Sequence, residues 1–461
     1  VSEFKLALRR AREFHASGAT RDVAYRGNAL GRLEQVIDSR EPDLLDALNA
    51  DLRKSAQEAY GSEIGVVRTE IGYALRNLRR WARPRRARTP WALAPARGRV
   101  HPEPRGVVLI LGPWNFPFNL LFSPLVGAIA AGNCVFLKPS EYAPAVSKAM
   151  AEVVREAFEP GHVTLFEGGV EVARSLVELD FDQLFFTGST ATGSAIMAAA
   201  AKRLTPVTLE LGGKCPCIVC PDARLPVAAR RIAWGKFLNA GQTCVAPDHV
   251  IVHRSVRDRF LATLGEVLKT YFGDDPRTST DFGRIVNRRH FDRLAGYLAQ
   301  GKIVLGGETD ASELYIAPTV VLDPEPSAAI MTDEIFGPIL PVLDYDDLDE
   351  VLAALASRPS PLAFYLFSEN RATQDHVLAK TVSGGVCIND VVNHIVPKEM
   401  PFGGIGRSGM GQYHGKASFD CFTHYRSVLT RSTRFDPGYA YPPARFSLKT
   451  LKRAYSALFR D

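Results

Sequence analysis

Two residues in this chain have the chemistry and local setting of a nucleophile and a base. Cys244 lies in Asn239-Ala240-Gly241-Gln242-Thr243-Cys244-Val245-Ala246-Pro247, where Gly241 and Pro247 favour a turn that leaves the thiol accessible. A catalytic thiolate needs a lowered pKa and a nearby base. Thr208-Leu209-Glu210-Leu211-Gly212-Gly213-Lys214 offers a carboxylate at the end of an apolar strand. Apolar neighbours push such a group toward general-base duty. Spacing alone does not show that Cys244 and Glu210 meet.

Other motifs carry weaker signals. Gly404-Ile405-Gly406-Arg407-Ser408-Gly409 is a G-x-G-x-x-G, but Pro401 precedes it and Gly411 follows, so it suits a loop better than a strand–helix dinucleotide turn. Phe186-Thr187-Gly188-Ser189 follows an apolar strand and opens a helix, a setting that suits pyrophosphate or a plain capped turn. Lys138-Pro139-Ser140-Glu141 ends another strand, where ribose hydroxyls could be held or a loop simply solvated. Cys217-Ile218-Val219-Cys220 has no second cysteine pair to complete a zinc site and lies in an apolar strand, so it reads as structural and no metal is expected.

These groups need elements to position them. Residues 3–83 read as helices, with Val36, Leu44, Leu45, Leu48 and Leu52 at helical spacing. Strands are predicted at 107–111, 134–137, 163–166, 183–186 and 205–209, with helices between them, the signature of a parallel sheet. The pattern repeats at 217–219, 250–252, 302–305, 340–345, 363–367 and 385–389, with helices at 256–268 and 288–298. Residues 106–137 hold no charge and could pass for a membrane span, but Pro113, Pro117 and Pro124 break it. It reads instead as strand, loop, helix (about 123–131) and strand.

The 461 residues suit about three domains. The seven cysteines form no obvious disulfide framework, and the charged N-terminal stretch has no apolar signal, so a cytoplasmic location is the default. The net charge of +6 is unevenly spread. Residues 76–105 carry +9 and 431–461 carry +5, leaving −8 for the rest. The basic balance therefore does not argue for an acidic substrate. The tail, 446–461, has a basic amphipathic pattern, for which docking on the body is favoured over peripheral membrane contact.

Taken together, the motifs resemble the aldehyde dehydrogenase superfamily. The matching pieces, in order, are Pro113-Trp114-Asn115-Phe116-Pro117, Lys138 to Glu141, Phe186 to Ser189, Leu209 to Lys214, Gly241 to Cys244, Glu334-Ile335-Phe336-Gly337-Pro338 and Pro401-Phe402-Gly403-Gly404. The details around Cys244 and Gly409-Met410-Gly411-Gln412-Tyr413-His414-Gly415-Lys416 are similar to the class 3 branch. The resemblance implies an α/β fold with two Rossmann-like open parallel-sheet domains and a small β oligomerisation arm. It implies an NAD(P)-binding domain (1–83 and 105–211), a thiol-bearing catalytic domain (212–400), an arm (84–104 and 401–430) and a basic tail (431–461). It implies NAD or NADP as cofactor, an aldehyde substrate and a homodimer.

The resemblance also implies roles. Cys244 attacks the aldehyde, the Asn115 side chain and the Cys244 N–H hold the oxyanion, and Glu210 activates the water that hydrolyses the thioester. Lys138 and Glu141 bind the adenosine ribose, Gly188 and Ser189 sit by the pyrophosphate, and Glu334 holds the nicotinamide ribose. Phe336, Leu211 and Trp114 belong to the same cofactor set. Phe116, where the class often has tyrosine, and Trp234 fall on the substrate pocket. Its apolar walls suit aliphatic or aromatic aldehydes. Two alternatives are a cysteine-dependent esterase on the same scaffold and a non-catalytic protein that binds an anionic surface. Nucleic acid is not an expected partner.

Overall fold

The computed structural model describes residues 3–90, 93–436, 438 and 441–458. Continuous apolar runs build the first sheet, because strands covered on both faces have no polar side. Val107–Leu111 and Cys134–Lys138 are buried along their whole length. They lie in a six-stranded sheet in the order Gly409–Met410, Val207–Glu210, Gln183–Thr187, Val107–Leu111, Cys134–Lys138, Val163–Leu165. All pairs are parallel except the first. The chain order reverses between Val107–Leu111 and Gln183–Thr187. A crevice at such a switch point, beyond the strand ends, is where open α/β sheets bind ligands.

A second sheet has seven strands. Thr319–Leu322, Ile339–Tyr345, His249–His253, Pro216–Val219, Ala363–Phe367 and Gly385–Ile388 run parallel, and Lys302–Leu305 is an antiparallel edge. A third, antiparallel sheet joins Arg85–Ala87, Ala96–Pro104 and Thr423–Arg431. The α/β class and both parallel sheets match the sequence reading.

Three expectations need correction. Residues 401–430 do not all belong to the arm. Gly409–Met410 pairs with Val207–Glu210 in the first sheet, and the helix Gly415–Cys421 packs on Asn119–Ala131, so only Thr423–Arg431 joins the arm. The helix predicted at 123–131 begins at Asn119, because Glu63 Oε2 accepts the N–H groups of Phe118 and Asn119. Pro124 then lies inside the helix. The tail does form a helix, Leu448–Leu458, and its described side chains through residue 456 are exposed rather than buried against the body. Arg460 and Asp461 lie outside the described residues. No helix among the described residues is long and apolar enough to cross a membrane.

A buried carboxylate ties the helix Gly65–Trp81 to the C-terminal segment. Glu70 Oε1 is 3.0 Å from Lys398 Nζ and 2.9 Å from His414 Nδ1, and Oε2 accepts Gly415 N–H at 3.1 Å. Burial works to raise this carboxyl, but His414 and Lys398 outweigh it and hold it below the usual 4.5. Glu70→Ala leaves the Lys398 ammonium without its counter-charge and His414 and Gly415 N–H without their acceptor, and is expected to cost about 3–5 kcal/mol in urea unfolding. Because the folded pKa is depressed, the contribution is present above the unfolded value and is lost as pH falls through the folded one. The Glu70→Ala penalty should therefore shrink on acidification below about pH 4.5.

Candidate active site

A cavity of about 310 Å³ opens between the two parallel sheets. Three segments reach it from the first sheet: Pro113 to Asn115, Thr187 to Ser189, and Glu210 to Gly212. Cys244, Glu334 and Phe336 reach it from the second unit. Thus Cys244 and Glu210, 34 residues apart in the chain, do share one cavity. So do Asn115, Trp114, Gly188, Ser189, Leu211, Glu334 and Phe336.

The Cys244 turn is unusual backbone. Asn239 (φ 52), Ala240 (φ 51) and Gly241 (φ 75) are successively left-handed. Two of these are not glycine, so surrounding bonds must hold them. Asn239 N–H donates to Glu58 Oε1 at 2.9 Å, and its Nδ2 donates to Asn115 O at 2.7 Å. Gly241 is obligatory, since a Cβ there would lie 2.2 Å from Gly337 O. Cys244 emerges partly exposed while Thr243 and Val245 stay buried.

The electrostatics favour protonated groups at rest. Burial, with Glu334 and Glu210 nearby, pushes the Cys244 thiol up to about 12. The backbone N–H groups of Cys244 and Val245 oppose this by bonding the sulfur. Glu210 is 2 % exposed, and neither of its carboxylate oxygens has a hydrogen-bond partner. Burial raises its pKa well above 4.5. The raised pKa makes Glu210, once it has lost its proton, a strong base in the same cavity as the thiol, with two unpartnered oxygens to take a proton from sulfur or from water. The Asn115 amide is 2 % exposed and donates one N–H to Gln242 O at 2.9 Å. An amide NH₂ carries two donors, so one remains for a ligand.

The cofactor-side residues fit a dinucleotide. Ser189 caps the helix Thr190–Ala201, accepting Thr192 N–H at 3.3 Å, and the helix start offers further N–H groups to an anion. Thr187 Oγ1 and Glu334 Oε1 are buried without a protein partner, as groups awaiting ligand hydroxyls would be. A Cβ on Gly212 would lie 1.9 Å from Glu334 Oε2, so only glycine leaves that carboxylate its place. Lys138 Nζ pairs with Glu141 Oε2 at 3.0 Å at the end of the neighbouring strand, beyond the cavity wall. The Trp114 and Phe336 rings meet edge-on at 5.3 Å.

Some placements differ from the sequence reading, and some participants were missed. Among the described residues the wall includes neither Phe116 nor Trp234. Phe116 is buried beneath Lys54, whose Nζ is 4.1 Å from the ring centroid, and Trp234 is 39 % exposed on the helix Leu225–Phe237. His290, Arg293 and Tyr297 line the cavity but were read only as part of a helix. Their spacing of three and four residues on an amphipathic helix was the available signal. Arg293 donates to Ile335 O at 2.8 Å and so helps fix the Glu334 loop. The G-x-G-x-x-G segment is a loop brace: Leu211 N–H donates to Ser408 O at 3.1 Å. Cys217 and Cys220 are buried, with thiols raised by burial, in keeping with a structural reading.

Two open α/β units facing a shared thiol cavity define a dinucleotide-dependent enzyme architecture, and comparison with known proteins gives the family. The aldehyde dehydrogenase family model matches residues 1–428. The 4,4'-diaponeurosporen-aldehyde dehydrogenase of Staphylococcus aureus is 44 % identical over 96 % of this chain and 97 % of its own length. The dimeric NADP-preferring aldehyde dehydrogenase of dog is 42 % identical over 96 % of this chain and 98 % of its own. A substrate-bound structure of Staphylococcus aureus AldH superposes with a TM-score of 0.97 at 42 % identity, covering 99 % of this chain and all of that one. The chain belongs to the aldehyde dehydrogenase family, and it is an NAD(P)-dependent enzyme of aldehyde oxidation.

The raised thiol makes a direct expectation. Without cofactor, alkylation of Cys244 by iodoacetamide should accelerate about tenfold per pH unit from pH 7 to 10, because only the thiolate reacts. Peptide mapping by mass spectrometry follows the residue. A rate already flat across this range would mean that a thiolate is preformed.

Proposed function

We propose that Cys244 is the nucleophile that oxidises aldehydes to carboxylic acids through a thiohemiacetal and a thioester. The observation that carries this is the partly exposed thiol sharing one cavity with the two unpartnered oxygens of Glu210. The thiol must first lose its proton, and Glu210 is the nearby carboxylate able to take it. Sulfur then adds to the carbonyl carbon. The oxyanion is held by the second Asn115 amide N–H and the Cys244 N–H, and fixed donors of this kind are often the largest catalytic contribution. NAD(P)+, when bound, supplies the hydride acceptor. Glu210 releases the thiol's proton to solvent and then, again as carboxylate, takes a proton from the water that opens the thioester.

The cofactor-binding reading assigns Lys138 and Glu141 to the adenosine ribose, Gly188 and Ser189 to the pyrophosphate, and Glu334 to the nicotinamide ribose. Leu211, Trp114 and Phe336 pack around that end. On this reading the six-stranded sheet forms the cofactor domain (1–83 and 105–211) and the seven-stranded sheet the catalytic domain (212–400). Glu141 repels a 2′-phosphate, which favours NAD over NADP. The substrates are aliphatic or aromatic aldehydes, because Trp114, Leu120, Leu211 and Phe336 give the cavity an apolar wall. Trp234, exposed on the helix Leu225–Phe237, acts further out, on the approach. A phosphorylated aldehyde suits the site less, since Arg293 is engaged with backbone carbonyls.

The third sheet, with Thr423–Arg431 at its edge, is suited to join two copies, and the dog relative is a dimeric enzyme. Seven free cysteines suit a reducing, cytoplasmic compartment. Cys244→Ala should abolish aldehyde-dependent reduction of NAD+ while leaving NADH binding intact by fluorescence titration. A Cys244→Ala enzyme that still turns over would end this mechanism. In side-by-side kinetics kcat/KM should be higher with NAD than with NADP, and Glu141→Gln should narrow the gap by improving NADP. No gain for NADP would remove Glu141 from cofactor choice.

A further inference from the structure

We propose that Lys54, anchored by Glu63, is a positioning residue that aims the Asn115 amide at the developing oxyanion. The inference rests on Asn115 having that oxyanion role. Lys54 and Glu63 are both fully buried, outside the motifs that mark the site. Lys54 Nζ lies 2.5 Å from Glu63 Oε1 and donates to the backbone carbonyl of Asn115 at 2.9 Å. Its remaining face stands 4.1 Å from the Phe116 ring centroid. An ammonium has three donors and no acceptor, and these three partners occupy them.

The other carboxylate oxygen of Glu63 accepts Phe118 N–H at 3.0 Å and Asn119 N–H at 2.9 Å, where the helix Asn119–Ala131 starts. One ion pair therefore grips residues 115–119 at both ends: the Asn115 carbonyl on the ammonium, the helix N–H groups on the carboxylate. From the opposite side, Asn239 Nδ2 donates to the same carbonyl at 2.7 Å, and Asn115 Nδ2 donates to Gln242 O at 2.9 Å. With its carbonyl held twice and one side-chain N–H held once, the Asn115 amide has little freedom. Its second N–H is left for the cavity that Asn115 helps to line.

Stability alone is a poor reason for this pair. Taking two charges out of water offsets most of their attraction, and packed apolar side chains often serve as well. Geometry is a better reason. An error of about 1 Å in a reacting group can cost about a hundredfold in rate.

The test is a double-mutant cycle on the full-length enzyme with Lys54→Met, Asn115→Ala and the pair. Two rates are read: benzaldehyde oxidation with NAD+, and cofactor-free hydrolysis of p-nitrophenyl acetate by the same thiol. Lys54→Met should lower both rates about ten- to a hundredfold, below the 10²–10³ typical for loss of an oxyanion donor. NADH affinity should be unchanged. Added to Asn115→Ala, Lys54→Met should cause no further loss, because the group it aims is already gone. Wild-type rates in Lys54→Met, or losses that multiply in the pair, would overturn the proposal. Full rates in Asn115→Ala would instead remove the oxyanion role beneath it. Should Lys54→Met not fold, Glu63→Gln keeps the volume, removes the charge and enters the same cycle with the same expectations.

Discussion

Two distant stretches of chain converge on the backbone carbonyl of Asn115. It accepts from Lys54, 61 residues earlier, and from Asn239, 124 residues later, while its side chain donates to Gln242. These bonds are buried, so leaving any one unmade costs the desolvation of a polar group. The N-terminal helices, the first sheet and the thiol turn are thereby locked to one another. The left-handed Asn239 and Ala240 are tolerable only within that lock. The cavity, and the placement of Cys244 beside Glu210, depend on it.

A second, partly exposed set of bonds braces the Glu334 loop in the same way. Lys214 Nζ, paired with Asp248, donates to Ile330 O at 2.7 Å and Asp333 O at 3.0 Å. Asp248 Oδ1 accepts Ile335 N–H at 2.9 Å. Lys214 and Asp248 thus brace the loop that carries Glu334 and Phe336. Both oxygens of Glu210, and Oε1 of Glu334, are buried on the cavity wall without a protein partner. Unmet bonding at a cavity wall points to ligand.

The sequence carried the sheets and the central site clearly, because both are written in local signals. Apolar runs bounded by breakers gave the strands, a strand end and a Gly/Pro turn gave Glu210 and Cys244, and the resemblance to the family gave Asn115 and Glu334. What stayed hidden depends on partners far apart in the chain. The helix Asn119–Ala131 starts where it does because Glu63 caps it from 56 residues away, and no local cap marks that start. Lys54 and Glu63 look like ordinary helix-region charges until the fold buries them. Phe116 was assigned to the substrate pocket by its place in a motif, whereas its ring lies under Lys54. The split of residues 401–430 between sheet, helix and arm likewise follows from pairing, which local periodicity does not encode.

The account stands on Cys244 forming the covalent bond while Glu210 serves the water that breaks it. The most direct measurement is mass spectrometry of a Glu210→Gln enzyme mixed with benzaldehyde and NAD+, then quenched and digested. The account expects a benzoyl thioester on the peptide containing Cys244, persisting longer than in the unsubstituted enzyme. An unmodified Cys244 peptide with the acyl group on another cysteine, or undiminished turnover in Glu210→Gln, would contradict it.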